Sequence, residues 1–284
     1  MSWKDLKVMD WEELSEARLQ VHQAAQLIAS AGISFLEKKE DDSHTNMTWL
    51  NDKKMLGGQL FGEEKRFRLA LSVADFRYVL LDDGNNEVVD FPLNMRTVQD
   101  SVDWLMAQLR NNGFDPSAFH TRRHYKIPSN KPGMGGIYQY FAAEPFRQIA
   151  YHFDCAYDVL EELRAEKASD AALACWPHHF DLAFLYPVKS GGSDKVKTAG
   201  VGFLPGDDYY SKPYYYVTPW PYPDEHKLDN SELPDGAFWH TRDFTAAIWE
   251  ADVYTAFKGV ISGRERTVDF LKTALARCEA LLSE

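Results

Sequence analysis

Trp176-Pro177-His178-His179-Phe180-Asp181-Leu182 is the densest run of chemically able side chains in the sequence. On an extended strand, side chains alternate faces. Trp176, His178, Phe180 and Leu182 would then share one face, and Pro177, His179 and Asp181 the other. His179 and Asp181 would meet one ion or one substrate. Imidazole and carboxylate both ligate zinc and iron. The same pair also serves acid–base catalysis when the carboxylate orients the ring. Two ligands are too few for a metal site, and His240 and Glu250, of equal parity on a later segment, are the expected additions. The plainer alternative is structural: His178 hydrogen-bonded in the core, His179 and Asp181 a satisfied pair with no cleft.

A second cluster is His120-Thr121-Arg122-Arg123-His124-Tyr125-Lys126. Arg122, Arg123 and Lys126 are candidates to hold a phosphate or carboxylate. An edge strand charged against aggregation is the competing explanation. The stretch from Phe203 to Tyr222 is rich in tyrosine and proline, and would wall a cleft or pack as sheet. His152, Cys155 and Asp158 recur every three residues on a helix, a spacing that solvated helix faces also produce.

Elements must position these residues. Leu14, Ala17, Val21, Ala24, Ile28 and Ala31 recur at three and four, predicting a helix over 11–35 with an apolar stripe on one side. Short strands follow at 48–50 and 55–61. Residues 66–73 alternate, and 76–81 with 87–93 read as a hairpin around Asp83-Gly84. Thr97 opens a helix that Gly113 and Pro116 close. Residues 119–127 read as a strand, and the Pro-, Asn- and Gly-bearing segment after it as a linker. A helix over 145–165 carries Phe146, Ile149, Phe153, Ala156, Leu160 and Leu163. Strands are expected at 172–188, 198–204, 213–219 and 238–252. Ser262 and Glu265 form a capping box before the last helix. Strand runs between helices, joined by hairpin-length turns, predict an α+β fold of antiparallel sheets flanked by helices. The order repeats in two similar halves, an arrangement that duplication would produce. The expected organisation is an N-terminal half over 1–127, a linker over 128–142 and a C-terminal half over 143–284 that carries the candidate site.

Composition narrows the function classes. The chain has 284 residues, 45% hydrophobic and 26% charged, which suits folded rather than disordered protein. Its net charge of −12 opposes phosphate backbones and acidic lipid surfaces, so neither nucleic acid nor membrane is an expected partner. Gel-shift titration with a random DNA duplex should show no complex at physiological salt. Micromolar binding there would instead make the 120–126 cluster a nucleic-acid site. Three widely spaced cysteines and no apolar leader point to a reducing, cytoplasmic setting. G-x-G-x-x-G, P-loop, G-x-S-x-G and H-E-x-x-H patterns are all missing from the sequence.

The helix beginning near Trp11, the segment Arg66 to Leu71, the Trp176 to Leu182 segment, Gly202-Phe203-Leu204-Pro205-Gly206-Asp207, Tyr214, Tyr216, Pro219, Pro221, and Ala237 with Trp239 before Phe244 together form a pattern. It resembles a family of uncharacterised, mostly bacterial proteins catalogued as a domain of unknown function. The resemblance extends over most of the chain. It implies one evolutionary unit and assigns no catalytic residue.

The expected function is an enzyme or binder acting on a small polar molecule around His179 and Asp181. Metal-assisted hydrolysis, with a divalent ion as cofactor, is the reaction class that a His–Asp site suggests first. The rival expectation is a non-catalytic module that binds a small ligand or a protein through its aromatic surface.

Overall fold

The computed structural model describes residues 3–167, 169–188, 196–256 and 262–283. They fall into two compact units, Asp10–Ala150 with Ala174–Phe180, and Met1–Met9 with Tyr151–Leu173 and Asp181–Glu284. Among the described residues the fold is α+β, with two antiparallel sheets and helices of up to 25 residues.

The first unit is organised on helix α1 (Trp11–Phe35). Asp10 caps it, its carboxylate accepting from Glu12 N at 2.8 Å, and Glu12 and Glu13 favour the positive end of the helix. The expected one-sided stripe is only part of the outcome. Every residue from Gln20 to Gly32 is buried, so the helix has no solvated face over that span. Strands β1 (Thr48–Leu50), β2 (Met55–Gly57), β3 (Phe67–Ser72), β4 (Arg77–Asp82) and β5 (Glu87–Pro92) form a meander in sequence order. The hairpin expected around Asp83-Gly84 joins β4 to β5, with Asn85 N donating to Asp82 O. Tyr78 of β4 donates its hydroxyl to Ala24 O of α1 at 2.7 Å, fixing sheet against helix. Helix α2 (Val98–Asn111) starts at a capping box of Thr97 and Asp100.

Residues 119–127 do not form the expected strand. Asp115 caps a short 3-10 turn over Pro116–Ala118, and the irregular chain beyond it is held to α1 by Ser34, which bonds both N and O of His120. Nor is 128–142 a bare connector. Ile137 bridges Thr97, and Tyr138 is buried. Helix α3 (Ala143–Glu166) crosses from this unit into the other, so the division differs from the sequence-based halves. Strand β6 (Ala174–Trp176) and the turn after it return to the first unit, where Cys175 pairs with Met47.

The second unit carries β7 (Asp181–Val188), β8 (Lys197–Leu204), β9 (Tyr214–Trp220), β10 (Phe238–His240) and β11 (Ala246–Glu250), ordered β10-β11-β9-β8-β7 and antiparallel throughout. A short helix α4 (Ala251–Ala256) and the long α5 (Gly263–Ser283) follow, the latter opened by the expected Ser262–Glu265 box. Trp249 stacks on Phe270 of α5, and Phe203 packs on His152 and Phe153 of α3. Phe203, Tyr215 and Trp249 are register partners and so share one face, which meets the stripes of both α3 and α5.

Two strand expectations fail in instructive ways. Residues 172–188 are broken by a turn at 177–180, where Phe180 adopts a left-handed φ of 63° and donates its N–H to Trp176 O at 2.7 Å. Residues 238–252 are a hairpin, with Asp243 at φ 69° between β10 and β11, and helix α4 begins at Ala251.

Candidate functional site

The turn at 177–180 meets α1 through the Pro177 carbonyl and the Phe180 ring. The Pro177 carbonyl accepts from His22 Nε2 and from Gln26 Nε2, each at 2.8 Å. An acceptor at Nε2 fixes the His22 tautomer with its proton there. The His22 ring stacks on Phe180 at 4.9 Å and 12°. Burial drives the His22 pKa down from 6.5 to about 3, so the ring is neutral at physiological pH. His178 sits among the rings of Trp176, Tyr125 and His179, and burial with the His179 charge lowers its pKa to about 4. His179 itself is exposed.

The second sequence cluster approaches the same helix. Tyr125 donates to Gln26 Oε1 at 3.0 Å, and the Arg123 guanidinium lies over the Tyr125 ring, 5.9 Å from its centroid. Arg122 and Lys126 are exposed, while His124 pairs with Asp42 at 2.9 Å. Arg123 is different. It lines a cavity of about 320 Å³ within this unit, walled by α1, by Tyr78 and Tyr138, by the start of α2 and by the 132–135 turn. That volume is at the small end for ligand pockets. Arg123 Nη1 is enclosed and has no hydrogen-bond acceptor, and among the described residues no carboxylate pairs with Arg123.

The rest of the wall is polar and neutral. Gln23 Oε1 accepts from Asn130 Nδ2 at 3.2 Å, leaving the Gln23 amide nitrogen with its donors. Ser30 Oγ donates to Gln26 O, and Ser101 Oγ to Thr97 O, so each hydroxyl oxygen retains acceptor capacity. The Tyr78 and Tyr138 hydroxyls bond one another, and burial raises both phenols above the usual tyrosine range, keeping them neutral. Family models, curated proteins and solved structures were all compared with the chain. None of them matches. The geometry therefore carries the functional reading alone.

The proposed metal ligands do not converge. By extension of the β7–β8 register, Asp181 lies opposite Leu204, which pairs Tyr214, which pairs Glu250. Three strand spacings separate Asp181 from Glu250, about 14 Å. His240 pairs Ala246, four residues along β11 from Glu250, again about 14 Å. Each has other work. Asp181 is buried and accepts from Tyr216 at 2.7 Å, while His240 Nδ1 meets the Tyr210 hydroxyl at 2.6 Å. Burial raises the pKa of Glu250 against the pull of Lys212. His179, on the turn, does not share a strand face with Asp181, because alternation ends at Trp176. Among the described residues no group of three His, Cys, Asp or Glu side chains is placed to hold a metal.

The 152, 155, 158 series is likewise divided. His152 and Cys155 are buried, His152 bonding Tyr254, whereas Asp158 pairs Arg264 at 2.7 Å. The neutral wall of α1 is what sequence periodicity overlooked. One clue was present: from Leu19 to Leu36 the chain contains no Asp, Glu, Lys or Arg. A helix without charge over that length has no solvated face, which makes its glutamines interior groups that need partners.

Proposed function

We propose that the protein binds a small, polar, anion-bearing molecule in the cavity beside α1, with Arg123 as the anchor. The observation that carries this reading is a guanidinium left without a counter-ion in a chain of net charge −12. A partly enclosed cation normally gains a carboxylate partner, because an unmet charge-bearing donor costs about 1–3 kcal/mol. Here carboxylates are abundant in the chain, and among the described residues the wall has none. An anionic ligand supplies the missing partner, and the neutral amides and hydroxyls orient the rest of it. The setting we infer is cytoplasmic, which the three free, buried thiols suit. No described helix is long and apolar enough to cross a membrane.

The test is a thermal-shift screen of carboxylic acids, sulfonates and phosphate esters against wild type and Arg123→Gln. A ligand at about 100 times its Kd stabilises by about 2.7 kcal/mol, which for a chain of this size raises the midpoint by about 5–10 °C. At least one anion should do this in the wild type and not in Arg123→Gln. If every anion is silent, or if Arg123→Gln responds equally, the reading fails.

A further inference from the structure

The ligand class can be narrowed by counting what the cavity offers. Among the described residues Arg123 is the single formal charge on the wall. The wall includes Val98 and Gln99, the opening residues of α2, whose free amides would favour an anion. That end is already partly neutralised, because the Asp100 carboxylate accepts from Thr97 N at 2.8 Å and from Thr97 Oγ1 at 2.9 Å. One guanidinium beside a neutralised helix start balances one negative charge. A phosphate dianion would leave a charge uncompensated in a protein that is already acidic.

The neutral groups specify the remainder. Gln23 presents amide donors, while Ser30 and Ser101 have committed their protons to Gln26 O and Thr97 O and present acceptors. A ligand bearing only acceptors, such as a second carboxylate, would meet Gln23 and leave both serine oxygens dry. A ligand bearing only methylenes would leave all three unmet. Hydroxyl groups donate and accept, and so satisfy both kinds of wall. The cavity of about 320 Å³ corresponds to about ten water volumes, and so to a molecule of about a dozen non-hydrogen atoms.

We propose that the cavity takes a polyhydroxylated monocarboxylic acid, its carboxylate on Arg123 and its hydroxyls on Gln23, Ser30 and Ser101. This rests on the assignment of the cavity as an anion site. The test is calorimetric titration of the full chain with D-gluconate, D-galacturonate and quinate. D-glucose, hexanoate and sn-glycerol 3-phosphate, which lack the charge, lack the hydroxyls or carry a second charge, are the comparisons. At least one hydroxy acid should bind at least tenfold more tightly than all three comparisons. Arg123→Gln should weaken it at least tenfold, and Gln23→Leu at least threefold, with both variants shown to be folded by circular dichroism. Should either variant prove unfolded, Arg123→Met and Gln23→Met remove the charge and the amide donors while keeping an unbranched side chain, and unchanged affinity in both would overturn the assignment. Arg123-dependent binding of glycerol 3-phosphate in preference to the hydroxy acids would overturn the monocarboxylate inference while leaving the anion site standing. Equal binding of hexanoate would remove the hydroxyl requirement, and so this inference. Silence from every anion would overturn both.

Discussion

Gly32→Ala should destabilise the protein by about 2 kcal/mol, although the usual helix rule points the other way. Glycine inside a helix costs about 1 kcal/mol relative to alanine, so a propensity scale forecasts a gain. A Cβ at position 32, however, would stand 2.3 Å from the His44 carbonyl oxygen and 3.3 Å from Thr45 Cα. Both are backbone atoms, and the loop cannot yield by rotating a side chain. Overpacking of a close-packed interior costs about 1–3 kcal/mol, more where backbone must move. The loop is also pinned, since Thr45 N donates to Asp42 O at 2.9 Å and Met47 pairs with Cys175. Urea denaturation of wild type and variant measures the difference. A midpoint that rises in Gly32→Ala would show that the loop moves freely and that α1 does not lean on it.

Acidification should destabilise the chain more steeply than its carboxylates alone require. His22 and His152 are both fully buried, and burial lowers each pKa from 6.5 to about 3. The unfolded chain protonates these rings below about pH 6.5, whereas the folded chain holds them neutral until near pH 3. Their stabilising effect is thus complete above pH 6.5 and is lost progressively as the pH falls toward 3. Each contributes about 1.4 kcal/mol per pH unit within that window, so the two together cost about 5 kcal/mol between pH 6.5 and 4.5. His178, lowered to about 4, adds in the same sense. The measurement is unfolding free energy by denaturant between pH 7.5 and 4.5, for wild type and for His22→Gln with His152→Gln. The double variant should be weaker at pH 7.5 but lose less on acidification. Identical slopes would mean that neither ring is held neutral.

Much of the architecture was readable because local signals agreed with tertiary demand. Thr97 and the Ser262–Glu265 box start helices where their side chains say they should, and the apolar stripe placed the start of α1 beside the Asp10 cap. Alternation at 66–73 and the turn residues at 83–84 placed the first sheet. The Trp176–Leu182 segment misled because its polar and apolar residues alternate like a strand, yet Pro177 lacks an amide proton and the backbone reverses instead. Nothing local marks Phe180 for a left-handed conformation, which the stacking on His22 accompanies. Arg123 was visible as one of three cations in its cluster. What separates it from Arg122 and Lys126 is enclosure beside a neutral cavity, a property of elements distant in sequence. Gln23, Ser30 and Ser101 carried no signal as a set, because α1 and α2 bring them together only after the meander has formed.

The return of residues 174–180 to the first unit bears on how the chain is made. A ribosome adds about 5–20 residues per second. When Ala150 emerges, α1 has all of its neighbours in that unit except the turn. His22 and Gln26 then lack the Pro177 carbonyl that both require, and Met47 lacks Cys175. The nascent unit must wait for about thirty further residues, through the rest of α3, before its last buried donors are met. During that interval an open α1 surface is a natural target for a chaperone. Any expression fragment that stops short of Phe180 makes this incomplete state permanent.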